Sequence, residues 1–289
     1  MYLSLDLKDF DSLDIDIKQY KIDAFKAKNN SHFEGLERYL LNEENILNAT
    51  EIQKHLFPEV EADIFLSHAH ADEDKVIALA VCLESIGFNV FVDSCIWENA
   101  FTLLKAIDDK HCKFKDNNRY SYDKRNYSTA NIYMILNSAL HHMIQKSELF
   151  IFLGTEQSLT IEKSIESFED KEFLKSPWIF SELTFVNQVV RYDSRAYLRP
   201  TKVTKSISIE DAKVVALDES LKFHFNKPIL DFSLSNEHFI YWYKNWRKLI
   251  KKEFSACEDH IQSLEVLYDV MKEKGKKRED SIFQQYVDL

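Results

Sequence analysis

The chain has 289 residues, of which 45% are hydrophobic and 13% aromatic, and this composition favours a large folded core over global disorder. Its 37 lysines and arginines against 48 aspartates and glutamates give a formal net charge of −11. A chain this acidic lacks the general attraction to nucleic acid or anionic membranes that basic proteins have, so we expect neither as a partner.

Residues 1–60 are predicted to form a mostly helical extension that precedes the main domain. Apolar residues recur there with a partial helical rhythm, and Pro58 ends the section. A domain predicted over residues 61–255 follows, and residues 256–289 are predicted to form a helical C-terminal tail that runs into a charged end.

The first part of the domain reads as strand, helix and strand joined by short turns. ADIFLSH (62–68) is a short apolar run typical of a buried strand, and FNVFVD (88–93) is a second one. Between them the apolar residues repeat at spacings of three and four, acids fill the first turn, and Gly87 follows the last turn. Strands that alternate with helices in this way predict an α/β fold with a parallel sheet.

Two insertions interrupt the rest of the domain, at about 98–127 and 156–175. A helix is predicted over 128–147 and a central strand over 148–155. A later strand is predicted over 212–218, a short edge strand over 222–226, and an amphipathic helix over 236–255.

The segment SPWIFSEL (176–183) begins a further helix that runs to about residue 190. Ser176 suits the N-cap and Pro177 the first helical position. Glu182 lies beside Trp178 on the flank of the apolar face, and no basic residue stands three or four positions away to pair with it. A carboxylate in this position either meets a ligand or is a structural acid satisfied by another chain segment.

Polar side chains cluster at the carboxyl ends of the predicted strands, which is where open parallel sheets bind ligands. The candidates combine hydroxyl, imidazole, carboxylate and indole groups: Ser67, His68, Asp93, Ser94 and Trp97. Each has a structural explanation of its own, such as a turn, a cap or an apolar plug. Their convergence near the start of the helix that carries Glu182 is the stronger signal.

Glycine and cysteine usage excludes several common sites. The glycines are too far apart to form a G-x-G-x-x-G fingerprint or a Walker A loop: they are Gly35, Gly87, Gly154 and Gly275. The four cysteines form no C-x-x-C pair and no zinc spacing, which suits a reducing compartment. No signal peptide is visible and the apolar runs are too short to cross a bilayer, so we expect a cytoplasmic protein.

The motifs, taken in order, resemble a Toll/interleukin-1 receptor (TIR) domain over roughly residues 62–190, and more faintly to about 255. DIFLSHAHADEDKVIALAVCLESIGFNVFVD is similar to the opening of that family, and SPWIFSEL is similar to its WxxxE helix. DSCIWENA resembles a segment of bacterial TIR proteins in Thoeris-type antiphage defence. The resemblance implies a flavodoxin-like fold, a five-stranded parallel sheet flanked by helices, here with helical N- and C-terminal extensions.

Catalytic TIR domains cleave NAD⁺ at the nicotinamide–ribose bond, and the resemblance carries their essential glutamate to Glu182. It implies that Ser67, His68, Asp93, Ser94, Trp97 and Trp178 line the substrate pocket, with no metal and no cofactor besides NAD⁺ as substrate. The product is ADP-ribose or a cyclic isomer that acts as a signal. Homo-oligomers and a separate effector protein are implied as partners. The insertion after the second strand departs from the family, in which that loop mediates self-association.

Three other functions compete with this expectation. A TIR-like adaptor acting by self-association needs no catalysis, and the Trp178–Glu182 pair argues against it. A receiver-type phosphoacceptor needs an acidic pair directly after the first strand, where Ser67 and His68 stand instead. A metal hydrolase could use His68, His70, Asp72 and Asp74, but the two aspartates are predicted to be solvated acids in the first turn of a helix, where they favour the helix dipole.

Overall fold

The computed structural model describes residues 1–10, 17–30, 62–94, 104–114, 119–162, 171–192, 225–253 and 259–272. Eight strands are present in these ranges: β1 Leu3–Lys8, β2 Ile64–Ser67, β3 Val90–Val92, β4 Leu149–Gly154, β5 Leu159–Glu162, β6 Lys171–Leu174, β7 Phe225–Asn226 and β8 Phe232–Ser235. The α-helices of the same ranges are α1 Gln19–Asn30, α2 Glu73–Glu84, α3 Tyr122–Lys146, α4 Pro177–Gln188, α5 Asn236–Glu253 and α6 Asp259–Lys272.

The central sheet has five strands in the order β3-β2-β4-β1-β8, and all of its pairings are parallel. Helices flank it, so the predicted α/β fold with a five-stranded parallel sheet is confirmed. A parallel arrangement brings the carboxyl ends of all five strands to one edge. That edge therefore collects the residues that follow β2, β3 and β4.

Each face of the sheet packs against its own set of helices. One core joins alternate strand residues such as Leu5, Leu66 and Ile151 to helices α1, α2, α5 and α6. The other core joins Phe65 and the phenylalanines of β4 to α3 and α4. Strands covered on both faces are apolar throughout, which is why β2 and β4 read as continuous apolar runs.

The N-terminal residues correct the sequence prediction. Residues 3–8 were predicted within a helical extension, but they form β1, which lies between β4 and β8 inside the sheet. The strand alternates: Leu5 and Leu7 are buried in one core, whereas Ser4 and Asp6 lie on the opposite, polar face. Helical structure does follow, in α1, and the remaining residues up to 61 lie mostly outside the described ranges.

Further differences concern the insertions and the C-terminus. Helix α3 begins at Tyr122, within the predicted insertion, and not at residue 128. Part of the 156–175 insertion forms β5 and β6, an antiparallel pair. The predicted edge strand at 222–226 contributes β7 to that small sheet, while the strand predicted over 212–218 lies outside the described residues. Helix α6 is built into the core through residues such as Leu267, so it is part of the domain.

A buried ion network fastens the small sheet to β1. Nζ of Lys227, which directly follows β7, lies 2.6 Å from Oδ2 of Asp6 and 2.6 Å from Oε2 of Glu172 on β6. The Lys227 side chain is 7% exposed and its ammonium also stands over the ring of Phe152. Since the three charges come from three distant parts of the sequence, the network fixes the position of β1 in the sheet.

Among the helices that the structure describes, none combines the length and the apolar character needed to span a bilayer.

Candidate functional site

Four of the predicted site residues meet at the carboxyl edge because β2 and β3 are parallel neighbours. Leu66 is in register with Val92, so the residues that follow, Ser67 and Asp93, leave the sheet side by side. His68 and Ser94 come next in each strand and are also buried. We call Ser67, His68, Asp93, Ser94 and Glu182 the edge cluster.

Helix α4 brings Glu182 onto this edge. Its start is fixed as predicted, since the Ser176 hydroxyl accepts hydrogen bonds from the backbone N–H groups of Trp178 and Ile179, and Pro177 opens the helix. Ile179 and other apolar residues of the same face pack into the core beside Phe150 and Phe152. The sequence predicted Glu182 on a half-buried flank, but its side chain is wholly covered.

The contacts inside the edge cluster are short. The Ser67 hydroxyl donates a hydrogen bond of 2.6 Å to Oε2 of Glu182. The charge of Asp93 acts directly on the Glu182 carboxyl, so the two acids lie close together in one buried space. On the other side of the pair, Nδ1 of His68 lies 2.9 Å from Oδ1 of Asp93.

Burial raises the pKa of Glu182 well above the ordinary value of 4.5, and the nearby Asp93 charge raises it further, while the hydrogen bond from Ser67 works in the opposite direction. Glu182 therefore holds a proton in the folded chain at pH values where a solvated glutamate has lost it. The protonated Glu182 carboxyl can then donate to Asp93, and this explains how two acids share one buried space.

The edge cluster is closed to solvent in this structure. All five residues are at most 5% exposed. Within the part of the chain that is described, Nε2 of His68 and the hydroxyl of Ser94 have no hydrogen-bonding partner, whereas Nδ1 of His68 faces Asp93. Buried polar atoms without partners are costly and concentrate at functional sites, so these two residues mark where a ligand could supply the missing contacts.

Of the two tryptophans predicted to line the substrate pocket, one lies within the described residues. Trp97 lies outside the described residues. Trp178 packs edge-on against Tyr133 of α3, with ring centroids 5.0 Å apart, so it belongs to the interface between α3 and α4. A role for either residue in substrate binding stays a prediction.

A second polar contact on the same edge was not predicted from the sequence. The Thr155 hydroxyl, directly after β4, donates a 2.5 Å hydrogen bond to Oδ2 of Asp72. Asp72 is 3% exposed and stands just before α2. The sequence predicted it as a solvated acid of the first helical turn, so this is a correction. A buried acid so close to Ser67 and His68 could have been suspected from its position after β2.

The described residues offer no better candidate site than the edge cluster, either as a metal centre or as a cavity. No group of three or more His, Cys, Asp or Glu side chains within them is arranged to hold a metal ion. A surface cavity of about 360 Å³ lies at the amino ends of β1 and β4, the edge opposite to the one that parallel sheets use for ligands. It is lined by Met1, His142, Gln145, Lys146, Ser147, Glu148 and Tyr192.

No protein-family model matches the chain, and no curated protein or solved structure matches it either. The family resemblance therefore depends on the order of the sequence motifs.

Replacing Glu182 by glutamine is expected to stabilise the protein at neutral and higher pH. A carboxyl whose pKa is raised by folding binds more protons in the folded chain, so the free energy of unfolding falls as pH rises above about 4.5. Glutamine carries no charge, yet it can accept from Ser67 and donate to Asp93. We expect a gain of about 0.5–2 kcal/mol at pH 8, typical of relieving a strained functional site.

Thermal melts of the wild type and Glu182→Gln between pH 4 and pH 8 measure this difference, with about 2–4 °C expected for each kcal/mol. The gap should narrow towards pH 4, where the wild-type acid is protonated in both states. Glu237→Gln, at an exposed position of α5, is the matched control and should follow the wild type. A Glu182→Gln protein that melts below the wild type at pH 8 contradicts the buried, protonated state.

Proposed function

We propose that the chain cleaves the nicotinamide–ribose bond of NAD⁺, giving ADP-ribose or a cyclic ADP-ribose isomer. The observation that carries the proposal is the buried carboxyl of Glu182, held by Ser67 and Asp93 at the carboxyl edge of a parallel sheet. The sequence motifs around these residues resemble those of catalytic TIR domains. NAD⁺ is the substrate, and the proposal needs no further cofactor.

The chemistry suits a single carboxylate. As the glycosidic bond breaks, the ribose becomes an oxocarbenium-like cation, and nicotinamide leaves as a neutral base that needs no protonation. Glu182, once ionised, stabilises that cation electrostatically and can accept hydrogen bonds from the ribose hydroxyls. A charge of this kind acts most strongly in a site that excludes water, which the surroundings of Glu182 already provide.

The closed edge cluster corresponds to a resting state in this proposal. Glu182 is wholly covered and accepts a hydrogen bond from Ser67, so a ribose can reach its carboxyl only after the edge cluster opens. An enzyme that destroys NAD⁺ is harmful to its own cell when it is always active. We therefore propose that activity requires opening of the edge cluster, with self-association as the trigger and bacterial antiphage defence in the cytosol as the setting.

Product identification by mass tests the proposal directly. Purified protein is incubated with NAD⁺ at low and high protein concentration, with and without extract of phage-infected cells. Nicotinamide together with ADP-ribose, or with a product of the mass of cyclic ADP-ribose, is the expected result. NAD⁺ that survives all of these conditions overturns the enzyme proposal.

A non-catalytic adaptor is the second candidate, and the closed site favours it. A glutamate that is buried and hydrogen-bonded by Ser67 can be a structural acid that fastens α4 to the sheet. In that case the protein assembles with itself or an effector and leaves NAD⁺ intact. Sedimentation of the protein alongside the NAD⁺ assay separates the two candidates, because the adaptor forms oligomers without turnover.

A further inference from the structure

We infer that Asp93 is a second catalytic residue: the base that takes the proton from the acceptor that attacks the ribose. This inference rests on the proposed function, since it assigns a step of the same reaction. It goes beyond that function by dividing the reaction between two carboxyl groups, with bond cleavage assigned to Glu182 and acceptor activation to Asp93.

The geometry points to a division of roles because the two carboxyl groups lie close together but have different neighbours. Ser67 donates to Oε2 of Glu182, whereas the Nδ1 atom of His68 lies 2.9 Å from Oδ1 of Asp93. Glu182 comes from a helix and Asp93 from the end of a strand, so a movement of α4 can part them. Two acids in one buried space whose surroundings differ are the usual basis of separate acid and base roles.

The closed state shows what must change before the pair can act. Carboxyl pairs that cleave glycosidic bonds stand about 5–5.5 Å apart when one is the nucleophile, and about 6.5–9.5 Å apart when water is held between them. Glu182 and Asp93 are both buried in the closed edge cluster and must separate before a ribose and an acceptor can enter. Asp93 then remains beside His68, whose Nδ1 atom lies 2.9 Å from Oδ1 of Asp93.

The reaction step balances as follows. The bond between C1′ and the nicotinamide nitrogen breaks, and its electron pair leaves with nicotinamide. The oxygen of water forms the new bond to C1′, and the proton that this oxygen loses passes to the Asp93 carboxylate and then to solvent. NAD⁺ and water thus give ADP-ribose, nicotinamide and a proton. A ribose hydroxyl of the same NAD⁺ replaces water when the product is cyclic, and it loses a proton in the same way.

Nicotinamide can itself act as the acceptor, and its attacking ring nitrogen carries no proton that a base must remove. The role of Asp93 can therefore be tested with nicotinamide. Free labelled nicotinamide that attacks C1′ simply regenerates NAD⁺, so this exchange needs bond cleavage but no base. The test therefore measures two rates on each variant: formation of ADP-ribose or its cyclic isomer, and incorporation of labelled nicotinamide into NAD⁺. The preparation is the full chain under conditions in which the wild type turns over NAD⁺.

In Asp93→Asn, hydrolysis and cyclisation are expected to fall by about 100-fold or more, the usual contribution of a general base, while exchange persists. Glu182→Gln is expected to lose both rates, because it removes stabilisation of the cation. Asp123→Asn, at an exposed position in the first turn of α3, is the matched control and should keep both rates. Equal loss of both rates in Asp93→Asn, or loss of neither, overturns the inference while the proposed function stands.

A wild type that performs neither hydrolysis nor exchange overturns the proposed function itself, and the inference with it. If Asp93→Asn does not fold, the wild type supplies a second measurement. The ratio of hydrolysis to exchange cancels the contribution of Glu182 and should fall when H₂O is replaced by D₂O, because hydrolysis alone takes a proton from the acceptor. A ratio that is the same in H₂O and D₂O contradicts a base at this position.

Discussion

Glu182→Gln is expected to lower the rate of NAD⁺ cleavage by about 1,000-fold, the upper range for removing one preorganised electrostatic group from an active site. Glutamine keeps the size of the side chain and can keep the contacts to Ser67 and Asp93. It cannot supply the negative charge that faces the ribose cation in the proposed reaction. The nicotinamide released by the wild type and by Glu182→Gln is separated by chromatography and quantified by mass spectrometry, and this gives the rate of NAD⁺ cleavage of each protein.

The control for this measurement is Glu237→Gln, which makes the same chemical change at an exposed position far along the chain. It should match the wild type. If Glu182→Gln cleaves NAD⁺ at the wild-type rate, the carboxylate is not catalytic and the adaptor becomes the better account of the fold.

Activity and stability are expected to move in opposite directions at Glu182. Burial raises the pKa of this carboxyl, so a charge on it is unfavourable in the closed state, yet the proposed chemistry needs that charge. A substitution that stabilises the protein and inactivates it is the pattern that functional sites produce. A structural acid with the same raised pKa predicts the gain in stability without any loss of activity, so the NAD⁺ assay is the measurement that separates the two accounts.

The sequence could predict the elements whose apolar pattern is local. The apolar runs of β2 and β4 and the N-cap at Ser176 need only neighbouring residues to be recognised, and the structure confirms them. The convergence of Ser67, His68 and Asp93 followed from the rule that parallel strands end at one edge. This part of the candidate site could be predicted because the positions of these three residues depend on which strands are neighbours in the sheet and not on the conformation of a loop.

The burial of Glu182 and its position close to Asp93 could not be predicted in the same way. The two residues are far apart in sequence, and their separation in space depends on how deeply α4 is set against the sheet. Helical periodicity placed Glu182 on the flank of the apolar face. Periodicity fixes the direction of a side chain only to within about a quarter of a turn, so it cannot say whether a flank residue is buried or exposed. The aromatic rows of β2 and β4 beneath α4 decide the depth, and this is tertiary information.

Strand β1 was missed although its sequence carries a signal. In LSLDLK the leucines alternate with polar residues, which is the pattern of a strand with one apolar face. The strand joins the sheet in parallel with β4, and its pairing partners lie about 145 residues away in sequence, so nothing nearby indicates it. Its polar face is explained by distant residues, among them Lys227 and Asp231, which meet Asp6 and Ser4 there.

Strand β1 bears on the candidate site because a single row of residues, paired across three neighbouring strands, connects β1 with Ser67. Asp6 is in register with Phe152 of β4, and Phe152 is in register with Ser67 of β2. Two strand spacings of about 4.8 Å therefore separate the Lys227 network from the edge cluster. The network that fixes β1 thus also fixes the far side of the phenylalanine that lies next to Ser67.

Lys227→Met is accordingly expected to destabilise the protein by about 3–5 kcal/mol, the usual result of removing one partner from a buried ion pair. Methionine fills a similar volume but leaves the carboxylate of Asp6 without the Lys227 ammonium and that of Glu172 with only the more distant, exposed Lys8. Burial raises the pKa of Glu172, but the Lys227 ammonium outweighs it and lowers the net pKa of that carboxyl. This stabilisation is present above the ordinary glutamate range and is lost as pH falls through the lowered pKa, so the deficit should shrink in acid.

Thermal melts measure the loss, which corresponds to a decrease in Tm of about 10 °C. Lys8→Met is the matched control: its ammonium is 3.7 Å from Glu172 on a side chain that is 46% exposed, so its removal should cost less than about 1 kcal/mol. Adding Asp6→Asn to Lys227→Met should restore part of the stability, because it removes the charge that was left unpaired. If Lys227→Met has the same melting temperature as the wild type, Lys227 does not hold β1 in the sheet. The strand must then be held by its apolar face, which places Leu5 and Leu7 in the opposite core.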